Sequence, residues 1–447
     1  MRRPRKSQLS LVPAWVEHVH AKELAAISHI LDSNPSMLEV VTADLVAGRN
    51  GSRGAPGMTG AEVVRSAVLK QMNGFTYEEL AFHLQDSACY RAFCGYGLGE
   101  SAPRRATLQQ NVSRIRPETW EHINRTLVRF AMDTNVETAT RARADATVVD
   151  ADVPEPADSQ LLWDTIRVVT RWLGRASAAG AEFTFRNHLR RAKRRTYKIR
   201  YARRKKTRKP LYRDLVKVAG WVLDYGREAI RALGRLPEAP GVSKALDTLR
   251  HFIQLGHRVV DQTVRRVFEG ESVPSREKVV SLFEDHADII VKGSRDTQYG
   301  HKITLCTGAS ALVVDCVIEH GNPSDSALVG RTLDRFRAVT GKIPKQAAFD
   351  GGYASRANVE LAKAKGVQDI CFNKRKGIPV PDMVRSSWIY RQLWRFRVGI
   401  ESCISMLKRC FGLRRCTWHG LGHFKSYVWS SIVAYNLLLL ARHRLPS

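Results

Sequence analysis

The stretch Ala347-Ala348-Phe349-Asp350-Gly351-Gly352 reads as a short buried strand that ends in an acid and a glycine turn. A short apolar run bounded by turn residues is typical of a central strand in an α/β sheet. Because such sheets place their sites beyond the carboxyl ends of the strands, an acid at this position points into the site crevice. We therefore predict that Asp350 is a functional carboxylate at the end of a strand over 346–349.

A second acid lies within another predicted strand. The run Ala144-Asp145-Ala146-Thr147-Val148-Val149 is rich in β-branched residues, which favours a strand. Asp150 and Asp152 follow at odd steps from Asp145, so on an ideal strand both face the opposite side. We favour Asp145 as the functional acid of this strand.

Further strands and helices surround these two and predict an α/β fold. Three strands that would pair antiparallel come first, and helices and short strands then alternate. The predicted strands cover 289–291, 301–307, 311–319, 346–349 and 369–372, and the predicted helices cover 324–339, 355–365 and 391–410.

The remaining regions read as helical. Within 1–135, short helices begin at two capping boxes, Thr59-x-x-Glu62 and Thr76-x-x-Glu79. Compact short helices are typical of DNA-binding domains of the helix-turn-helix type, and also of helical domains with a purely structural role. Differences in predicted secondary structure and in charge divide the chain into four regions, which cover 1–135, 136–158, 159–286 and 287–447.

The charge of the chain indicates a polyanionic partner. The 447 residues include 72 Lys+Arg and 43 Asp+Glu, so the net charge is +29 and the isoelectric point is near 10.2. The segment Arg186–Lys209 alone has 14 Lys and Arg and no acid. Such a segment is either a solvated helix face or a nucleic-acid contact, and the excess of charge favours the contact. The basic residues of this segment that we predict to contact DNA are Arg190, Arg194, Arg195, Arg203, Arg204, Lys205 and Lys206.

Several protein classes are excluded or disfavoured by the sequence. The longest apolar stretch, Tyr427–Ala441, has 15 residues, whereas a membrane span takes about 20. The chain has no phosphate-binding P-loop and no dinucleotide-binding glycine motif. Its eight cysteines include no C-x-x-C pair, which predicts reduced thiols in a cytoplasmic protein. Cys416, His419 and His423 match no standard zinc spacing, so we interpret them as incidental residues of a glycine-rich turn.

The helix predicted over 391–410 contains a third acid, Glu401, among many bases. Trp394, Arg397, Glu401 and Lys408 follow one another at steps of 3, 4 and 7, which place all four on one helical face. Converging carboxylates such as Asp145, Asp350 and Glu401 are hard oxygen ligands for Mg²⁺. Two such ions can clamp the attacking and leaving oxygens of a phosphoryl displacement. Basic side chains on the same helical face would then contact the flanking DNA phosphates.

Other polar residues have simpler interpretations. Asn322 and Asp325 precede a predicted helix and fit cap or turn positions. Lys292 and Lys302 flank a predicted hairpin and could contact phosphates or be exposed strand lysines. No Ser or Tyr stands in a comparable constellation, which disfavours a recombinase with a nucleophilic hydroxyl.

The order Asp145, Asp350 and then Trp394-x2-Arg397-x3-Glu401-x6-Lys408 resembles the acidic triad and Y-R-E-K signature of bacterial insertion-sequence transposases. The segments RADATVV, YGHKITL, GNPSD and AFDGGYASRANVELAKAKGV also resemble that family, most closely the ISNCY type of DDE transposase. Trp394 departs from the signature because it stands at the Tyr position and lacks the hydroxyl.

The resemblance implies an RNase H-like catalytic domain with a helical N-terminal DNA-binding region. Only 51 residues separate Asp350 from Glu401, so the basic helical insertion falls between the first and second strands. It further implies that Asp145, Asp350 and Glu401 are catalytic and bind two Mg²⁺ ions, or Mn²⁺ in their place, and that Trp394, Arg397 and Lys408 contact DNA. The implied partners are the terminal inverted repeats and target DNA, both double-stranded. A homodimer or higher assembly on DNA, at the nucleoid of a bacterial cytoplasm, is also implied.

Two alternatives remain at this stage. An RNase H-like nuclease would share the triad and cut DNA without joining it. A catalytically inactive derivative would bind DNA and would not need three carboxylates.

Overall fold

A computed structural model describes residues 17–48, 57–97, 99–292 and 296–445. The fold divides into two compact units, one formed by Met1–Asp150 with His301–Ser447 and the other by Ala151–Gly300. Within the described residues, no helix is long and apolar enough to cross a membrane.

The N-terminal part of the first unit consists of short helices, as the sequence predicts. Both capping boxes are formed: Thr59 accepts from the Glu62 backbone N–H, and Thr76 does the same for Glu79. Each of these glutamates also accepts from its cap backbone. The helices are α1 (Val19–Asp32), α2 (Ser36–Val46), α3 (Gly60–Asn73), α4 (Tyr77–Asp86), α5 (Ala88–Cys94), α6 (Arg105–Val112) and α7 (Pro117–Asp133).

The second unit is mainly helical. Its helices are α8 (Asp158–Ala178), α9 (Leu189–Tyr201), α10 (Lys205–Leu233) and α11 (Pro240–Val264). They bury one apolar core that includes Leu162, Leu223 and Val259. The prediction of a helical region to 286 is wrong after the π-helical turn Arg265–Glu269, because a short 3-10 turn, Ser275–Glu277, is the one helical element that the described residues form between it and β2. Gly270, whose φ of 77° is left-handed, and Pro274 end the helical hydrogen bonding there.

A mixed sheet forms the second half of the first unit. Its strands are β1 (Arg141–Asp150), β3 (Asp296–Thr307, from His301 onward), β4 (Val313–Ile318), β5 (Gln346–Phe349) and β6 (Asp369–Phe372). Strand β2 (Asp288–Lys292) belongs to the second unit, where it pairs antiparallel with the first residues of β3. The order in the first unit is β4-β3-β1-β5-β6. Strands β3 and β4 are antiparallel, whereas β1, β5 and β6 are parallel. This mixed α/β architecture confirms the predicted fold class at that level.

The helices of this half cover the sheet and complete its core. They are α12 (Val329–Thr340), α13 (Arg356–Ala364), α14 (Val380–Met383), α15 (Ser387–Cys410) and α16 (Leu421–Arg444). The core between them includes Phe336, Phe349 and Phe372, all almost fully buried. The apolar stretch Tyr427–Ala441 lies in α16 and is buried apart from Leu439.

Candidate active site

Three carboxylates converge on one guanidinium in the first unit. Arg397 Nη2 lies 3.1 Å from Asp145 Oδ2 and 3.2 Å from Asp350 Oδ1. Arg397 Nη1 donates to Glu401 Oε1 at 2.5 Å. The Arg397 side chain is only 7% exposed, whereas those of Asp145, Asp350 and Glu401 are 19%, 39% and 57% exposed. The three acids that the sequence singled out therefore surround a buried cation and open progressively to solvent.

The parallel pairing of β1 with β5 brings the two aspartates together. Ala144 pairs with Phe349, and the next residue on each strand is an acid. Asp145 and Asp350 thus leave neighbouring strands at the same level of the sheet. The β-branched run from Thr147 and the apolar run before Asp350 specify these strands locally. Asp150, at the end of β1, instead has backbone bonds to the chain around Arg415.

Helix α15 reaches the strands through a close contact with Arg143. The buried Arg143 guanidinium donates to the Phe396 carbonyl at 2.6 Å and to Thr307 Oγ1 at 2.9 Å. A Cβ at Gly399 would lie 2.0 Å from Arg143 Nη1, so a side chain there would have to displace the guanidinium. Since Gly399 is two residues from both Arg397 and Glu401, this contact positions them over β1.

The indole of Trp394 is linked to Asp350 through Asn373. Trp394 Nε1 donates to Asn373 Oδ1, and Asn373 Nδ2 lies 3.5 Å from Asp350 Oδ1. The tryptophan therefore still donates a hydrogen bond from the position where the signature has a tyrosine. Sequence reasoning missed Asn373, although it follows β6 as Asp350 follows β5.

A second layer lies behind the acids. Lys302 is buried, and its Nζ lies 2.6 Å from Asp325 Oδ1 and donates to the Pro323 carbonyl. The expectation of an exposed strand lysine at Lys302 is wrong, because the ammonium is enclosed with its own carboxylate. The Asp325 expectation is confirmed, since this residue opens a 3-10 turn over Asp325–Leu328.

Tyr353 is fully buried in this layer. Burial, with a smaller contribution from nearby carboxylates, raises the pKa of Tyr353 well above its ordinary value. Its ring packs against Phe349, with centroids 5.4 Å apart. The phenol therefore stays neutral beneath the acids.

The donor set of the site suits a divalent metal ion. Three carboxylates supply hard oxygen ligands, and they already converge on one positive charge. Among the described residues, no group of three or more His, Cys, Asp or Glu side chains is arranged as a metal cluster. The three carboxylates therefore suit a divalent ion by charge and chemistry, but in this arrangement they contact Arg397 and are not gathered as a metal cluster.

The other two residues of α15 that are predicted to contact DNA are Trp394 and Lys408. Lys408 is half-buried on the last turns of the helix, and Trp394 is 43% exposed near its middle. The Arg397 guanidinium faces the carboxylates rather than solvent, so its contact with a DNA phosphate stays a prediction.

The basic residues of the second unit that are predicted to contact DNA are spread over α9 and the start of α10. Arg190, Arg194, Arg203, Arg204 and Lys206 are exposed. The prediction for the side chain of Lys205 falls outside what the structure describes, as does that for Lys292.

Two basic residues of this segment are already paired with an acid. Arg195 Nε donates to Asp214 Oδ2 at 2.5 Å, and Arg191 also pairs with this carboxylate. The two guanidinium groups, with Arg191 contributing more, hold the pKa of Asp214 below its ordinary value. The segment is therefore exposed and cationic apart from this local pairing.

Two family models match the chain. Residues 255–437 match the Transposase DDE domain, and residues 14–114 match the Transposase domain (DUF772). These two matches indicate a DNA transposase. No curated protein and no solved structure matches the chain.

The first match covers most of the candidate site. It includes Asp350, Trp394, Arg397, Glu401 and Lys408. Asp145 precedes this match, and its place in the site depends on the pairing of β1 with β5. The second match includes helices α1 to α6.

Proposed function

We propose that this chain is the transposase of a bacterial insertion sequence, of the ISNCY type, and that it cleaves DNA at the element ends and transfers the 3′-OH strands into target DNA. The observation that carries this proposal is the contact of Asp145, Asp350 and Glu401 with a single buried cation. The strand order β4-β3-β1-β5-β6 supports an RNase H-like catalytic domain, built from 136–158 and 287–447.

In this proposal Asp145, Asp350 and Glu401 bind two Mg²⁺ ions, or Mn²⁺ in their place. The ions supply an activated water and charge stabilisation at the phosphoryl group. The chain's own residues position that chemistry. Asn373 and Trp394 orient the Asp350 carboxylate, and the contact between Arg143 and Gly399 fixes Glu401 over β1. Arg397 and Lys408 neutralise phosphates that flank the scissile bond.

The remaining regions bind DNA in this proposal. The helices of 1–135 recognise the terminal inverted repeats, and the basic helical insertion over 159–286 contacts phosphates. Pairing of two element ends requires two active sites, so the protein acts as a dimer or higher assembly on DNA in the bacterial nucleoid. Deletion of the N-terminal helices should cost sequence specificity more than non-specific affinity.

The test uses the DNA that flanks the gene as substrate. Wild-type and Glu401→Gln proteins are incubated with it in Mg²⁺ or EDTA, and all new 3′ ends and joined products are mapped. We expect Mg²⁺-dependent cuts at matching inverted ends, joined to a second DNA, in the wild type alone. The variant should retain DNA binding, because it loses one carboxylate and no basic side chain.

An Asp350→Asn protein provides the second arm of this test. Cutting by this variant would contradict the site assignment. Cuts without joined products would instead identify a nuclease, and normal binding with no metal-dependent cleavage on any substrate would favour an inactive derivative.

A further inference from the structure

A cleft of about 700 Å³ opens at the start of α9, inside the second unit. Its volume lies within the range of roughly 300–1,000 Å³ that small-molecule sites occupy. Five arginines and two aromatic side chains of α10 line it together with His188. These residues are Arg186, Arg190, Arg191, Arg194, Arg195, Trp221 and Tyr225.

The cleft has a surplus of positive charge. Arg191 and Arg195 share the Asp214 carboxylate. Across the described residues, Arg186, Arg190 and Arg194 have no carboxylate within ion-pair distance. The Leu189 N–H at the start of α9 donates to the Asn187 side-chain oxygen, and the next N–H groups of this first turn add partial positive charge to the cleft. The local electrostatics therefore favour an anion, and arginines beside a helix N-terminus bind phosphate well.

His188 gives an independent indication of a ligand. The residue is 8% exposed and lines the cleft, and its Nε2 atom has no hydrogen-bond partner among the described residues. A buried polar atom without a partner is costly, and such atoms are rare in native structures. Burial, and then Arg186 and Arg191, lower the pKa of His188, so the neutral ring has one N–H to donate.

The aromatic side chains form the other wall of the cleft. The His188 ring lies 5.2 Å from Trp221 and 6.1 Å from Tyr225 between centroids, and it is nearly parallel to Tyr225. Both rings of α10 are half-buried, so each keeps an accessible surface. Aromatic surfaces beside arginines are typical of proteins that hold unpaired bases.

We propose that this cleft binds one nucleotide of an unpaired DNA strand, with its phosphate at the start of α9 and its base against the aromatic wall. In a duplex the bases are stacked and paired, so only an unpaired nucleotide can satisfy both walls at once. The inference rests on the proposed function, because it specifies which part of the DNA substrate the basic insertion holds. The nucleotide comes either from a strand end with a 5′-phosphate or from an unpaired position within a strand.

The test measures DNA binding by the full chain in EDTA, which removes cleavage from the readout. Fluorescent blunt duplexes are compared with the same duplexes carrying a short single-stranded overhang. We expect the wild type to prefer the overhang by about tenfold or more, since stacking of even one base contributes that much. The Arg190→Ala/Arg194→Ala protein should lose this preference.

A matched pair outside the cleft provides the control. Arg203→Ala/Arg204→Ala removes the same charge from exposed positions of the same segment. It should weaken binding to both DNAs alike and retain the preference for the overhang. Photo-crosslinking of an overhang that contains 5-iododeoxyuridine should label the peptide with Trp221 and Tyr225.

Other outcomes overturn the inference. No preference in the wild type, or equal loss of preference in both double variants, would mean that the segment attracts phosphates only in general. Failure to bind any DNA would contradict the proposed function as well. A comparison of 5′-phosphorylated, 5′-hydroxyl and single-bulge DNAs distinguishes the two sources of the nucleotide, and a preference for either source supports the cleft.

Discussion

Arg397 is the residue on which the arrangement of the site depends. Three carboxylates this close together repel one another unless a cation lies among them. The buried guanidinium provides that charge and contacts all three. In the proposed function a divalent ion needs the same carboxylate oxygens, so Arg397 would compete with the metal for them.

This competition predicts that removal of the Arg397 charge strengthens metal binding. We expect Arg397→Met to bind Mg²⁺ or Mn²⁺ about tenfold more tightly than the wild type, since the ion no longer displaces charge-assisted hydrogen bonds. Calorimetric titration of the DNA-free protein measures the affinity. Arg395→Met removes the same charge from an exposed position two residues away and should change the affinity little. Equal affinities for both variants would contradict the competitor role.

The sequence could predict the acids at this scale but not the residues that support them. Asp350 was evident from the strand and glycine turn around it, and Glu401 from its helical spacing. Asn373 was not, because its role depends on the pairing of Phe349 with Phe372 in neighbouring strands. Such a register joins residues that are far apart in the chain, and no local pattern encodes it.

Among the elements, α15 is held on the sheet by the contact between Arg143 and Gly399. Arg143 is buried and its guanidinium lies over the Phe396 ring, 4.6 Å from the centroid. The guanidinium donates to the Phe396 carbonyl and to Thr307, and a displacement of the group would weaken these bonds. The helix that carries Glu401 meets Arg143 at Gly399, where it has no side chain.

This contact predicts that Gly399→Ala destabilises the protein, although alanine is the better helix former. The new methyl group would force Arg143 from its partners, and overpacking of this kind costs about 1–3 kcal/mol. We expect a lower midpoint of thermal unfolding and weaker cleavage. Gly422→Ala is the matched control, since a Cβ there meets nothing within 4 Å in another helix of the same unit. A stability of Gly399→Ala equal to that of this control would show that the close approach is not needed.

The prediction of elements succeeded where the signal is local. The capping boxes at Thr59 and Thr76, and the strands around Asp145 and Asp350, are set by neighbouring residues. The extent of the helical region before β2 was overestimated, because Gly270 and Pro274 outweigh the helical pattern there. Helix α15 begins at Ser387 rather than 391, since Ser386 caps it through the Ile389 N–H.

At the scale of the whole molecule, the net charge of +29 is concentrated rather than spread. The Arg186–Lys209 segment supplies 14 basic residues, and only Arg191 and Arg195 among those described pair with an acid. Composition alone indicated a polyanionic partner. The division of the segment into a cleft and an exposed surface could not be predicted, because the cleft needs Trp221 and Tyr225 from α10.

The exposed surface predicts a specific dependence of DNA binding on salt. Each duplex phosphate that the protein neutralises contributes about 0.9 to the log–log slope of affinity against salt, so six lost contacts should flatten it by roughly 5. The test variant replaces six basic residues of the segment by glutamine and leaves the cleft intact. These residues are Lys193, Lys198, Arg200, Arg203, Arg204 and Lys206. The control removes the same charge from exposed bases elsewhere in the second unit, at Arg171, Arg175, Arg231, Arg235, Lys244 and Arg250. Binding of blunt duplex at several salt concentrations gives the slopes. A change in net charge alone should affect the slope equally in the segment variant and in the control variant. An unchanged slope for the segment variant, or the same flattening in both variants, would therefore mean that this segment has a partner other than duplex phosphates.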